Sequence, residues 1–152
     1  MTALLLALVL GAPVGAVTDV DRSPGDAVCS VSVLALDPRG WLASTRTASG
    51  SRTPAVVFRG RSARLLEGGP PLLFDVFNPR GQRYRVLQGA ARGGSPGRQS
   101  GSRRLDRSVE ARLAVAGSSI AWTSMFGRWR VEPRFEGQDD PCGPSQAFMI
   151  LP

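Results

Sequence analysis

The sequence predicts an all-β domain of about seven or eight short strands, packed as a sandwich or a barrel. Apolar and polar residues alternate with a period of two in several segments, and no segment keeps the three-and-four spacing of an amphipathic helix. The 18 glycines and 12 prolines can supply turns between short strands. The length of 152 residues and the hydrophobic content of 42% fit one domain with a substantial core.

Residues 1–16 are predicted to be a signal peptide, followed by a mature domain over residues 17–152. The apolar run from Ala3 to Val17 has no charged side chain, and it is shorter than the roughly 20 residues of a transmembrane helix. Small or apolar residues stand where a signal peptidase reads them, so we expect cleavage after Ala16. No Lys or Arg precedes the run, which leaves two alternatives: a start codon assigned too far downstream, or an uncleaved helix that anchors the N-terminus.

The two cysteines, Cys29 and Cys142, stand near the two ends of the mature chain. An exported protein meets an oxidising compartment, so we predict a disulfide between them. Two thiols without a histidine cannot complete a zinc site. The residues before Cys29 lack the leucine that a lipid-attachment site requires. We expect no metal and no cofactor.

The sequence predicts strands separated by turns in the first half of the mature chain. Residues 28–36 alternate as a strand, and Asp37-Pro38-Arg39-Gly40 has Pro and Gly where a type I turn prefers them. The polar residues 44–53 predict a loop. Extended segments are expected at residues 54–58 and 62–66.

A hairpin is predicted over residues 72–87, because two β-rich segments flank the turn sequence Asn78-Pro79-Arg80-Gly81. Alternation in the second strand turns Arg83 and Arg85 to one face, which a solvated sheet surface explains. The residues expected on the opposite face are Tyr84 and Val86.

The second half begins with a glycine-rich segment, residues 91–104, that predicts a long mobile loop. Alternation predicts a strand over residues 109–115. Further strands are expected at residues 119–122, 128–132 and 147–151.

The charged residues give no support to catalysis. All 19 basic residues are arginine, and the absence of histidine excludes Ser-His-Asp and Cys-His sites, so we expect no enzyme activity. An acidic cluster beside the second cysteine can be a calcium site, but we prefer a flexible acidic turn, which explains the cluster without a metal. Asp75 is either a buried acid or, as we prefer, a residue that lies on the exposed face or near Arg85 across the hairpin. The acidic cluster consists of Glu136, Asp139 and Asp140.

Five arginines in or beside the glycine-rich segment form a candidate anion-binding loop. Outside the cell they can hold an anionic polysaccharide, a teichoic-type polymer or phospholipid headgroups. Export argues against a specific nucleic acid, and aromatic residues that can stack on bases are more typical of a sandwich core. The loop arginines are Arg92, Arg98, Arg103, Arg104 and Arg107. The aromatic residues are Tyr84, Trp122 and Trp129.

Residues 54–124 resemble the immunoglobulin-like family of secreted mycobacterial immunoprotective antigens. The resemblance is carried by Phe77-Asn78, Gly81, residues 84–91 with the glycine-rich loop behind them, and the strand at 109–115. It implies an antiparallel immunoglobulin-like β-sandwich, released from a GC-rich actinobacterium or held at its envelope, with no catalytic site to carry over.

We therefore expect a secreted, non-enzymatic interaction protein whose partner is an unknown protein or an envelope polymer. No transmembrane segment is expected in the mature chain. One alternative is a basic module that binds the envelope or other polyanions. The other is a secreted protease inhibitor, in which residues 92–104 would insert into an enzyme cleft.

Overall fold

Ten strands form two five-stranded sheets in the part of the chain that the structure, a computed structural model, describes: residues 28–65, 68–91 and 108–152. The two sheets pack face to face, so the predicted all-β sandwich is confirmed. The strands are β1 (Cys29–Leu36), β2 (Leu42–Ser44), β3 (Thr47–Ser49), β4 (Ala55–Ser62), β5 (Leu72–Phe77), β6 (Arg83–Gln88), β7 (Ala90–Ala91), β8 (Ser108–Ala114), β9 (Gly127–Phe135) and β10 (Gln146–Leu151). A 3-10 turn covers Ala63–Leu65, and one helical turn, α1, covers Ser119–Trp122.

The first sheet has the order β2-β1-β4-β8-β7, and the second has the order β3-β10-β9-β5-β6. Neighbouring strands in the described residues are antiparallel except β3 and β10, which run in parallel with Thr47 opposite Met149. The prediction of a purely antiparallel sandwich is therefore wrong at this edge. After β2 the chain crosses to the second sheet, where β3 joins the free edge of β10 and continues into the hydrogen bond from Gly50 N to Leu151 O.

Aromatic rings fill the space between the sheets. The ring centre of Phe58 in the first sheet lies 6.0 Å from that of Phe74 and 5.5 Å from that of Phe148, both in the second sheet. The buried indole of Trp129 stacks on Phe148, and Tyr84 meets Trp129 edge-on at 5.2 Å. The aliphatic core around them comprises Val31, Val56, Leu72, Val76, Val109, Ala111, Leu113, Val115, Ile120, Val131 and Ile150.

Gly60 allows β4 to run without interruption through the core. The side chains of Leu72 and Phe74 occupy the space that a β-carbon on Gly60 would need. The extended segment predicted at residues 54–58 is therefore part of a longer strand that ends at Ser62, because Gly60 admits the facing sheet rather than breaking the strand. The extended segment predicted at residues 62–66 is wrong beyond Ser62, where a 3-10 turn covers Ala63–Leu65.

The predicted strand at residues 119–122 is instead the helical turn α1. The hydroxyl oxygen of Ser118 accepts a hydrogen bond from Ile120 N at 3.2 Å and so caps the turn. The side chain of Ile120 is fully buried in the core. Four residues with one buried position are too few for alternation to distinguish a strand from a helical turn.

A bulge changes the faces of β6. The register between β5 and β6 shifts between Val76 and Phe77, and the extra residue places Tyr84 against the core. Beyond the bulge Leu87 packs on the core, whereas Val86 is exposed. The prediction that Tyr84 and Val86 share the buried face is correct for Tyr84 and wrong for Val86.

The disulfide between Cys29 and Cys142 is present, with the two α-carbons 5.4 Å apart, and confirms that prediction. It joins the first residue of β1 to the loop between β9 and β10. Backbone hydrogen bonds reinforce the junction, since Cys142 O accepts from Val28 N and Cys29 N, and Cys142 N donates to Pro133 O. We call this end of the sandwich the disulfide end.

Replacing both cysteines by serine is expected to lower the free energy of unfolding by roughly 4–5 kcal/mol. The physical reason is that the bridge spans a separation of 113 residues and restricts the unfolded chain strongly. Urea denaturation measures the change, with the reduced wild-type chain as the control that should match the double variant. A loss below about 1 kcal/mol would contradict this reading of the bridge.

Truncation of two tryptophans is expected to have opposite outcomes. Trp129→Ala should cost about 3–5 kcal/mol, because the ring is fully buried and its Nε1 donates to Met125 O at 3.0 Å. Trp122→Ala should change stability by less than about 0.5 kcal/mol, because 82% of the residue is exposed. Urea denaturation compares the two variants, and equal losses would show that the core is misassigned.

Candidate functional site

The five arginines predicted as an anion-binding loop, Arg92, Arg98, Arg103, Arg104 and Arg107, lie outside the described residues. The residues that flank their segment are described. Ala91 pairs with Val109, and Ser108 lies opposite Arg61, which in turn lies opposite Ser30 beside Cys29. Both flanks therefore lie at the disulfide end.

The acidic cluster also lies at the disulfide end. Glu136, Asp139 and Asp140 are exposed in the loop between β9 and β10. Nowhere in the three described ranges do three His, Cys, Asp or Glu side chains come together in a group that can hold a metal ion. The structure does not bring these carboxylates together as a calcium site.

The three aromatic residues proposed for base stacking are separated in the structure. Trp129 and Tyr84 meet each other inside the sandwich. Trp122 is largely exposed on α1, contrary to its expected place in the core. Trp41, which was not predicted to be a functional residue, is also largely exposed. Its position directly after a Pro-Gly turn was the available signal.

Alternation along β9 lines the outer face of the second sheet with arginine. Trp129 and Val131 point into the core, so Arg128, Arg130 and Arg134 point outwards. The strand predicted at residues 128–132 falls inside β9. The guanidinium groups of the three arginines therefore form a row on the side of β9 that faces away from the core.

Cross-strand pairing brings a fourth arginine to this face. The register places Phe77 of β5 between Arg83 of β6 and Arg130 of β9. The guanidinium carbon of Arg130 lies 4.5 Å from the centre of the Phe77 ring, a cation–π contact that holds the side chain in place. We call Arg83, Arg128, Arg130 and Arg134, with Phe77, the arginine face.

Two carboxylates lie beneath these arginines. Asp75 and Glu132 are directly opposite each other on β5 and β9. Asp75 Oδ2 accepts a hydrogen bond from Arg134 Nε, Asp75 Oδ1 lies 3.9 Å from Arg83 Nη1, and Glu132 Oε1 lies 3.1 Å from Arg130 Nη1. Only 8% of the Asp75 side chain is exposed, against 60% for Arg83 and 49% for Arg130. The charge that solvent meets on this face is therefore positive.

The preferred prediction for Asp75, a place on the exposed face or near Arg85, is correct for the sheet face, but the residue is buried and its partners are Arg83 and Arg134. Asp75 is on the outer face, but Arg134 and Arg83 cover it. The bulge in β6 explains the exchange, since it moves Arg85 over the ring of Tyr84, at 5.9 Å. A single residue's shift along an edge strand changes which arginine reaches a carboxylate, and sequence alternation does not reveal such a shift.

Removing the Asp75 charge is expected to destabilise the domain by about 3 kcal/mol, because Asp75→Asn leaves the mostly buried Arg134 without its carboxylate. The matched control is Glu132→Gln, whose partner Arg130 is half exposed, and it should cost about 0.5 kcal/mol. Thermal or urea unfolding measures both. The reverse order of losses would contradict the burial described for the two pairs.

Comparisons of the chain with protein-family models, with curated proteins and with solved structures found no match. Within the described ranges, no helix has the length and apolar character needed to cross a membrane. The arginine face is therefore a candidate site on its geometry alone.

Proposed function

We propose that the sandwich is immunoglobulin-like. The strand order supports this, because β1-β4-β8-β7 follows the A-B-E-D order of that fold and β10-β9-β5 follows its G-F-C order, with β6 in the C′ position. Two features differ from antibody domains, in which a bridge joins strands B and F and a tryptophan lies on strand C. Here the bridge joins the start of β1 to the β9–β10 loop, and Trp129 lies on β9.

The protein is proposed to act outside the cell or at its envelope. The disulfide between the first strand and the loop before the last strand supports this, because such bridges persist in oxidising compartments. The signal peptide over residues 1–16 lies outside the described residues and stays a prediction. The relationship to secreted mycobacterial antigens, for which no match was found, also stays a proposal that rests on the resemblance of residues 54–124.

Its proposed role is non-enzymatic binding of an anionic envelope polymer by the arginine face. The observation that carries this proposal is the exposure of guanidinium groups above buried carboxylates. Guanidinium groups bind phosphate, sulfate and carboxylate groups through paired hydrogen bonds. The net charge of +7 would attract such a polymer over longer distances. The protease-inhibitor alternative depends on residues 92–104, which lie outside the described residues.

The test is retention on immobilised heparin, used as an anionic polysaccharide. The face variant Arg83→Gln/Arg128→Gln/Arg130→Gln should elute at clearly lower salt than the wild type, with a loss of affinity of about 10-fold or more, because three exposed guanidinium groups are removed. The matched control Arg46→Gln/Arg61→Gln/Arg112→Gln removes the same charge from exposed positions elsewhere.

Equal shifts in the two variants would show that net charge alone governs retention and would refute the arginine face as the site. A third variant replaces the five loop arginines by Gln. Loss of retention only in that variant would transfer the binding site to residues 92–107.

A further inference from the structure

Two tryptophans are displayed to solvent, in contrast to the buried Trp129. Trp41 is 71% exposed and Trp122 is 82% exposed. The other large exposed apolar residues of the described chain, such as Val86 and Leu151, are less than half exposed. Large aromatic rings are usually buried on folding, so two that are almost fully exposed point to an interaction surface.

Strand pairing places both rings at the end opposite the disulfide. Trp41 precedes Leu42, which pairs with Leu36, and Leu36 pairs with Ala55. Ala55 pairs in turn with Ala114, the last residue of β8. Four neighbouring strands thus bring the two connections to one end of the first sheet, separated by three strand spacings, about 14 Å.

Two further connections, the loop before β4 and the β5–β6 turn, lie at the same end. The chain after β8 bonds to the loop before β4 through Ala116 N and Thr53 O, at 3.0 Å. The backbone of Gly127 approaches the ring of Pro79 in the β5–β6 turn. This end therefore contains both tryptophans and the exposed arginines of three loops. We call it the tryptophan end and define it by Trp41, Trp122, Arg39, Arg52 and Arg80.

Two of those arginines are held on copies of one turn. The sequences are Asp37-Pro38-Arg39-Gly40 and Asn78-Pro79-Arg80-Gly81. In each turn the first side chain accepts hydrogen bonds from the backbone nitrogen of the arginine and from that of the residue after the glycine, Trp41 or Gln82. Each glycine has a positive φ, 86° at Gly40 and 76° at Gly81. Both turns thus display an exposed arginine on a fixed backbone.

The tryptophans are held with similar firmness. Trp41 N donates to Asp37 Oδ1 at 2.7 Å, and Trp41 O accepts from Asp37 N at 2.9 Å. Trp122 Nε1 donates to Gly117 O at 3.3 Å, and the buried Ile120 anchors its helical turn. Because the turns that carry these side chains are already ordered, binding through them loses little backbone conformational entropy.

The exposed charge of the tryptophan end is positive. Arg39, Arg52 and Arg80 are exposed, and none of them forms an ion pair with the described residues. Asp37, the acid of the first turn, is occupied by backbone amides. At the disulfide end the exposed acidic cluster is accompanied by the exposed Arg61 and Arg64, so the described charges there are mixed. The positive charge of the tryptophan end would attract it to an anionic surface.

We propose that the tryptophan end docks on the headgroup layer of an anionic phospholipid bilayer. Trp41 and Trp122 lie at the interface, where indole rings are favoured, and the three arginines contact lipid phosphates. Rings on separate turns suit a fluid layer, which needs no matching shape. This membrane contact goes beyond the proposed polymer binding and uses different residues.

The test measures binding of the chain from Val17 onward, which retains every described element and lacks the apolar N-terminal run. Vesicles of phosphatidylglycerol with phosphatidylcholine are compared with vesicles of phosphatidylcholine alone by co-sedimentation. Protection of tryptophan fluorescence from acrylamide reports ring insertion. The wild type should bind the anionic vesicles, with protected tryptophans, and should bind the neutral vesicles far more weakly.

Two variants should lose this binding. Arg39→Gln/Arg52→Gln/Arg80→Gln should lower partitioning by roughly 100-fold, since each basic residue near an anionic surface contributes about a factor of five. Trp41→Ala/Trp122→Ala should lower it at least about 10-fold and abolish the protection. The variant Arg46→Gln/Arg61→Gln/Arg112→Gln removes the same charge from exposed positions outside both proposed sites, and as the charge-matched control it should bind nearly as the wild type does. Unchanged near-ultraviolet circular dichroism verifies the fold of each variant.

Three results would overturn the proposal: no binding of the wild type to anionic vesicles, an equal loss in the charge-matched control, or full binding by the tryptophan variant. The outcome is independent of the heparin experiment. Failure of the arginine face to bind polymer leaves the vesicle result unchanged, and failure on vesicles leaves the polymer result unchanged.

Discussion

The contact of Phe58 with Phe74 and Phe148 holds the two sheets face to face, and the rest of the structure depends on it. Once Phe148 is inside, its neighbour Trp129 stacks on it and is buried as well. Alternation along β9 then forces its arginines outwards. The arginine face is therefore a consequence of the core. Gly60 contributes by leaving room for the facing side chains, so that the two sheets approach closely at this point.

The two ends of the sandwich are finished in different ways. At one end the Cys29–Cys142 bridge and the backbone bonds of Cys142 join β1 to the loop after β9. At the other end no bridge exists in the described residues, and tight turns with their own internal hydrogen bonds display Trp41 and Trp122. The two tryptophan rings can therefore be exposed to water, because the backbone of their turns is ordered without them. One sheet face and one end remain for interaction.

The sequence predicts those features that depend on local pattern. Alternation locates β1, β8 and β10, and the Asn78–Gly81 turn locates the hairpin. Local pattern does not predict the features that depend on contacts between residues distant in the sequence. Strand β3 is short and polar, and only pairing with β10 makes it a strand. The bulge that gives Asp75 the partner Arg83 depends on the edge register. The exposure of Trp122 follows from Ile120 filling the core beside it, which a pattern of four residues does not reveal.

We propose that this disulfide-tied sandwich is exported and interacts outside the cell. Intact mass spectrometry of the protein recovered from native culture medium, with and without reduction before thiol alkylation, tests it most directly. The account predicts a mass that begins near Val17, with Cys29 and Cys142 alkylated only after reduction. A full-length, cell-bound chain with two freely alkylated thiols would contradict both the export and the bridge.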